Sequence, residues 1–280
     1  MKILIIGAGY IGQRCAKEWP DAILSDKIIR TPEDVLELLD LYNPDAVLNA
    51  AGIVGRPNVD WCETNQAETV WGNSVLPLII AKACAERGVY LLHIGTGCIY
   101  YGYKDDPKGW NESDETTPLA VYTKAKYAAD IALSALPNVG VGRIRMPIDY
   151  IPYRGNFIDK LVSFKQIISV ENSVTVIEDM VWAFYKMIEK RAEGIYHVVN
   201  PGSLTHREIM ILYKAFVNPD HKNEWIKESD LLKLGLTKKQ RSNNILNTEK
   251  LASIGVNMRH IHDAIIDTMK KYAEYKKFGK

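Results

Sequence analysis

A short apolar strand that runs straight into a glycine loop and then into a helix leaves a chain few folds to choose from. Lys2-Ile3-Leu4-Ile5-Ile6 carries β-branched residues and leucine without alternation, the pattern of a strand buried on both faces of a parallel sheet. Gly7-Ala8-Gly9-Tyr10-Ile11-Gly12 follows at once, and a helical pattern occupies Gln13 to Trp19. Strand, G-x-G-x-x-G and helix in that order form the dinucleotide fingerprint. Gly7 permits the tight turn, Gly9 the close approach of a pyrophosphate, and Gly12 the packing of helix on strand. The free N–H groups at the helix N-terminus suit phosphate. Taken alone the glycines are only a turn; after a buried strand they point to a cofactor.

The alternation continues. Ala22-Ile23-Leu24 reads as a second strand ending at Ser25-Asp26-Lys27. Thr31-Pro32-Glu33-Asp34 starts a helix, with Thr31 as cap, proline in the first turn and acids beside it. Asn43-Pro44 stops that helix, and Ala46-Val47-Leu48 is the third strand, ending at Asn49-Ala50-Ala51-Gly52. Cys62 to Arg87 reads mostly as one helix closed by Gly88, with the fourth strand at Val89–Ile94 and the fifth at Val139–Arg145. A short helix is predicted from Ile158 to Ile167. Val174–Ile177, a helix over Glu178–Arg191, and Gly194–Val199 read as a strand–helix–strand unit returning to the sheet. The pattern is α/β: a Rossmann-type, doubly wound parallel sheet with a smaller, discontinuous substrate-binding lobe. Residues 1–150 and 174–200 are assigned to the dinucleotide-binding domain, and 151–173 and 201–280 to the lobe.

Composition narrows the class. A formal net charge of +1 gives no reason to expect nucleic acid or an anionic membrane as partner. No apolar stretch approaches the ~20 residues needed to span a bilayer, and no signal peptide is visible. Cys15, Cys62, Cys84 and Cys98 have no metal-ligand or disulfide spacing, and the six histidines form no metal cluster. A reducing cytoplasm and no metal are expected.

The chemistry gathers between His93 and Lys126. The fourth strand breaks at Gly95-Thr96-Gly97-Cys98, and a helical segment then carries Tyr122-Thr123-Lys124-Ala125-Lys126. Hydride transfer to a ketone leaves negative charge on oxygen, which needs a proton donor in reach. Four residues apart on a helix, Tyr122 and Lys126 share a face. Tyr122 is the expected acid, its pKa lowered by the Lys126 ammonium, and Thr96 is the hydroxyl that orients the carbonyl. Alone, Tyr122 would be a core aromatic and Lys126 a surface charge. Asp26 suits a ribose 2′-hydroxyl, whereas Lys27 and Arg30 suit a 2′-phosphate.

Gly7-x-Gly9-x-x-Gly12, Asn49-Ala50-Ala51-Gly52, Thr96 and Tyr122-x-x-x-Lys126 together resemble the extended short-chain dehydrogenase/reductases. Asn49 to Glu63, Thr96-Gly97-Cys98-Ile99, Arg145-Met146-Pro147, Asn156-Phe157-Ile158-Asp159-Lys160, Asn200-Pro201-Gly202 and Arg241-Ser242-Asn243-Asn244 more closely resemble the bifunctional nucleotide-rhamnose synthases. dTDP-4-dehydrorhamnose reductases are more distant relatives. The resemblance implies 3,5-epimerisation and 4-reduction of UDP-4-dehydro-6-deoxy-D-glucose to UDP-L-rhamnose. NADP(H) is preferred, with NAD(H) open, and Gly7, Gly9, Tyr10, Ile11, Gly12, Asp26, Lys27, Asn49, Ala50, Ala51, Tyr122 and Lys126 bind it. It also implies Cys98 and Lys160 as the epimerising pair, a thiol being able to act as base near neutral pH. As a small buried hydrophobe, Cys98 would instead be structural. Arg241 is implied as a diphosphate ligand, with Asn156, Phe157 and Arg56 around the substrate. A dTDP-sugar as substrate, a reductase acting alone, and a non-catalytic nucleotide-binding subunit are the alternatives. The helices over Cys62–Arg87 and Ala120–Leu136 offer a homodimer face.

Overall fold

A computed structural model describes residues 1–56 and 58–279. Pro57, within the family-like run, lies outside the described residues. The strands are β1 (Ile3–Ile6), β2 (Ala22–Ser25), β3 (Ala46–Asn49), β4 (Tyr90–Thr96), β5 (Val139–Ile144), β6 (Pro147–Ile148), β7 (Gln166–Ile167), β8 (Glu171–Asn172), β9 (Thr175–Val176), β10 (Gly194–His197), β11 (Leu204–Thr205) and β12 (Glu224–Trp225). The helices are α1 (Tyr10–Glu18), α2 (Pro32–Tyr42), α3 (Gln66–Val70), α4 (Leu76–Arg87), α5 (Val121–Ser134), α6 (Phe157–Ser163), α7 (Ile177–Glu189), α8 (His206–Phe216), α9 (Asp230–Lys233), α10 (Glu249–Ser253) and α11 (Ile261–Phe278).

The chain forms two compact units. The first comprises Met1–Ile99, Thr117–Arg143 and Val181–Tyr196. Its six-stranded sheet runs β10-β5-β4-β3-β1-β2. β1 pairs in parallel with β2 and β3, and β3 with β4. Every residue of β1, β3 and β4 is buried, which is why these segments lack alternation. Leu4, Val35, Val47, Ile80, Leu91 and Val141 pack into one cluster, each worth about 2 kcal/mol of burial. Parallel pairing brings the carboxyl ends of β1, β3 and β4 to one edge, with Asn49 registered against Ile6 and His93. That edge carries the site.

The long helix expected over Cys62–Arg87 is a composite. Val59–Glu63 is a 3₁₀ turn, and the helix proper begins at Gln66 and contains a π turn at Trp71–Val75. The π turn lets Asn73 face the Gly52–Ile53 loop, where it accepts from Ile53 N (3.2 Å) and donates to Ile53 O (2.7 Å). Gly72 leaves room for Ile53, since a Cβ there would lie 2.6 Å from its side chain.

The second unit comprises Tyr100–Thr116, Ile144–Met180 and His197–Lys280. Its core includes Ile148, Ile158, Val174, Ile209, Ile261 and Ile265. Its strands form two-residue pairs, β6 with β9, β7 with β12 and β8 with β11. Two expectations change here. The helix predicted over Ile158–Ile167 is α6, ending at Ser163, because Gln166–Ile167 pairs with Glu224–Trp225. The strand predicted at Val174–Ile177 reduces to β9, which pairs with Pro147–Ile148 and does not join the six-stranded sheet. Only β10 returns to that sheet. The units therefore divide the chain elsewhere than at 150, 174 and 200.

Candidate active site

The glycine loop shows which of its glycines the fold needs. Gly7 has φ +109°, and a Cβ on it would meet Ala51 N at 2.5 Å. A Cβ on Gly12 would lie 2.1 Å from Gly7 O. A Cβ on Gly9 would meet nothing within 4 Å. The chain's own packing thus makes no demand for glycine at Gly9, at the start of α1, where the space is open to a phosphate-bearing ligand. Gln13 Nε2 braces the loop by donating to Ala8 O (2.9 Å). Asp26 and Arg30 are exposed just beyond β2. Lys27 is not spare for a 2′-phosphate: it pairs with Glu37 (2.5 Å) and Asp34 (3.3 Å). The bond to Glu37, more than Asp34, raises its pKa.

Thr96 ends β4 and is 4 % exposed. Its hydroxyl accepts from Cys98 N (3.2 Å) and acts to lower the pKa of Tyr122. Tyr122 sits in the first turn of α5, whose opening N–H, from Val121, donates to Glu63 Oε1 (2.8 Å). The expectation for its acidity is corrected. Burial pushes the phenol above its ordinary range, Cys98, Cys62 and Asp130 push the same way, and the Thr96 hydroxyl opposes them. Lys126 Nζ donates to Ile94 O (2.5 Å) and lies 3.2 Å from His93 Nε2. Lys126 is itself buried, which lowers its pKa to about 8, against the pull of Asp130. The site thus pairs a tyrosine that keeps its proton with a lysine that gives one up readily.

Cys98 is half-buried, whereas Cys15, Cys62 and Cys84 are buried. Burial pushes the thiols of those three up, that of Cys84 to about 12. Cys98 belongs to the first unit and Lys160, half-buried on α6, to the second. Asn156 does not fit its expected substrate contact. It is fully buried and caps α6 by accepting from Ile158 N (3.2 Å), while Nδ2 donates to Asp149 O (2.8 Å) and Ile151 O (3.3 Å). Its carboxamide is spent on the loop. Phe157 packs its ring 5.2 Å from that of His206. Arg56 is exposed and Arg241 half-buried. Of the run Arg241–Asn244, Ser242 O accepts from Arg145 and Asn244 Nδ2 donates to Tyr100 O (2.8 Å), so these two hold the backbone.

Sequence reasoning passed over three polar residues. His93 is buried within β4, between Asn49 Nδ2 (3.0 Å) and Lys126. Asp130, fully buried one turn beyond Lys126, pairs with Arg143 Nε (2.8 Å) beneath Gly95, where a Cβ would lie 2.9 Å from its Oδ1. Asn73 clamps the loop after β3. A histidine inside an apolar strand and a Tyr122–Lys126–Asp130 stripe at helical spacing were the available signals. Among the described residues, no group of His, Cys, Asp and Glu could hold a metal, and no helix is long and apolar enough to cross a membrane.

A parallel sheet with a glycine loop, a hydroxyl pair and a buried lysine at its carboxyl edge is the architecture of a short-chain dehydrogenase/reductase-type enzyme. Residues 1–274 match the RmlD substrate binding domain, and the chain belongs to that family. The chain is similar to the bifunctional dTDP-4-dehydrorhamnose 3,5-epimerase/dTDP-4-dehydrorhamnose reductase of Arabidopsis thaliana, 29 % identical over 92 % of this chain and 87 % of that one. It is 30 % identical to the trifunctional UDP-glucose 4,6-dehydratase/UDP-4-keto-6-deoxy-D-glucose 3,5-epimerase/UDP-4-keto-L-rhamnose-reductase of the same plant, over 98 % of this chain but 42 % of that protein. The crystal structure of the L780 UDP-rhamnose synthase from Acanthamoeba polyphaga mimivirus superposes with a TM-score of 0.89 at 28 % identity, covering 97 % of this chain and 99 % of that one.

Proposed function

We propose that the chain is a bifunctional nucleotide-sugar enzyme that epimerises UDP-4-dehydro-6-deoxy-D-glucose at C3 and C5 and reduces C4, giving UDP-L-rhamnose with NADPH as reductant. The observation that carries the reading is the Thr96–Tyr122 hydroxyl pair at the end of β4, with Lys126 one turn further along α5. The likeness to the Arabidopsis bifunctional enzyme and to the mimivirus UDP-rhamnose synthase supports the choice of reaction and carrier.

The open volume at Gly9, the tight packing at Gly7 and the bare start of α1 fit a dinucleotide pyrophosphate. When bound, the nicotinamide cofactor supplies the hydride. The residues of this chain do the rest. Thr96 donates towards the C4 carbonyl and orients it. Tyr122 holds its proton at neutral pH and delivers it to O4 as charge develops there, since an alkoxide is a far stronger base than a phenolate. Lys126, titrating near 8, is poised to restore that proton. Cys98 and Lys160 are the groups assigned to exchange the protons at C3 and C5. Arg241 is assigned to the diphosphate, where a guanidinium can bond two oxygens at once. Asp26 and Arg30 are the residues left to contact the adenosine ribose, because acids occupy Lys27.

The test is incubation of the purified chain with the 4-dehydro sugar and NADPH in deuterated water. NADPH oxidation with deuterium at C3 and C5 is expected. Oxidation without deuterium would leave a reductase alone, and neither would sink the proposal. Repeating it with the dTDP-sugar decides the carrier. Cys98→Ala should abolish deuterium uptake yet spare reduction of a sugar already epimerised.

A further inference from the structure

The hydrogen bonds behind Lys126 admit one arrangement of protons. Ala51 N–H donates to Asn49 Oδ1 (3.1 Å), which leaves the other end of that carboxamide, Nδ2, facing His93 Nδ1 at 3.0 Å. An amide nitrogen only donates, so Nδ1 must accept and the imidazole proton must sit on Nε2. Burial, with Lys126 adding to it, keeps the ring neutral. Nε2–H then points at Lys126 Nζ, 3.2 Å away. An ammonium has donors only, whereas an amine carries a lone pair. Each alternative sets donor against donor. Turning the carboxamide puts Nδ2 against Ala51 N–H, and moving the ring proton to Nδ1 puts it against Nδ2.

We propose that His93 is a positioning residue, locked as its Nε2–H tautomer through Asn49 and Ala51, which makes the uncharged amine of Lys126 the form this chain of bonds accommodates. The amine accepts from His93, donates to Ile94 O and keeps one N–H for the outer side. The charged group that acts on it is Asp130, on the same helix, and Arg143 on β5 acts on Asp130 in turn. Asp130 favours the ammonium, but its pairing with Arg143 at 2.8 Å weakens that pull. The bonds begin at Ala51 N, which packs against the glycine loop, since a Cβ on Gly7 would meet it at 2.5 Å. The catalytic meaning of this chain of bonds rests on the reductase reading, in which Lys126 exchanges a proton with Tyr122.

The experiment is a titration of the full, cofactor-free chain by NMR, with lysine side chains carbon-13 labelled, histidines nitrogen-15 labelled, and Lys126→Arg used for assignment. Lys126 should titrate about two pH units or more below the other lysines, and His93 should carry its proton on Nε2 throughout. Asn49→Asp replaces the amide donor with an acceptor. The His93 proton should then move to Nδ1, Nε2 should accept from an ammonium, and Lys126 should titrate about two units higher. His93→Gln, which can offer Lys126 a carbonyl, should raise it too. A proton on Nδ1 in the unaltered chain, or Lys126 titrating with the bulk lysines, overturns the proposal. So does a Lys126 titration that neither substitution moves. None of these readings needs turnover, so a chain inactive towards the sugar would sink the reductase assignment and leave this one standing.

Discussion

The two compact units satisfy their buried backbone by different means. In the first, parallel strands bond to one another along a six-stranded sheet. In the second, strands are two residues long, and carboxamides take the place of neighbours. Asn156, Asn172, Asn200 and Asn244 are all fully buried there. Asn200 accepts from Val176 N (2.7 Å) and donates to Asp179 Oδ2 (2.5 Å) and Arg259 O (3.0 Å). Asn172 accepts from Asn244 N (3.0 Å) and donates to Asn243 Oδ1 (3.1 Å). An irregular backbone needs such partners, because an unpaired buried amide costs about 1–3 kcal/mol. The buried asparagines of the second unit therefore speak mainly of architecture.

Substitutions should separate the two. Tyr122→Phe should lower kcat for C4 reduction by about 10²–10⁴-fold, with the midpoint of urea unfolding almost unmoved. Loss of stability to the same degree as activity would place Tyr122 with the structural residues. Asn200→Ala should do the reverse. It strands three partners and should cost about 2–4 kcal/mol in chemical denaturation, with turnover per folded molecule kept.

The same contrast can be drawn inside one loop. Gly12→Ala drives a Cβ to within 2.1 Å of Gly7 O and should cost about 1–3 kcal/mol. Gly9→Ala meets only open space, so its Tm should hold while NADPH binding, followed by fluorescence, weakens about tenfold or more. Equal Tm losses for the two would remove the case for a ligand at Gly9.

The smallest effect concerns pH. The charged form of Lys126 is present below its folded pKa of about 8 and lost above it. If the ammonium supplies the proton, kcat/KM for reduction should fall tenfold per pH unit above that point. Burial pushes Tyr122 the other way, so its own limb should lie beyond the working range. A profile flat from pH 7 to 9 would deny Lys126 that role.

Much of this was legible in the chain. Local periodicity and glycine placement fix strands that are buried on both faces, so β1, β3 and β4, the glycine loop and the Tyr122–Lys126 pairing followed from short-range pattern. The second unit was less legible, because nothing local distinguishes an asparagine that binds a ligand from one that closes a loop. The run Asn156–Lys160 reads like a binding motif, yet its asparagine serves the backbone.

The sequence by itself determined the doubly wound sheet and the placing of Tyr122 and Lys126 on one helix face, since both depend on residues adjacent in the chain or one helical turn apart. Only the tertiary structure decided which polar groups meet behind Lys126. Asn49, His93 and Lys126 come from β3, β4 and α5, and parallel register brings them within hydrogen-bond distance of one another. Burial then sets the direction of each shift, raising the Tyr122 phenol and lowering the Lys126 amine. Desolvation belongs to the packed molecule, and no spacing in the sequence encodes its sign.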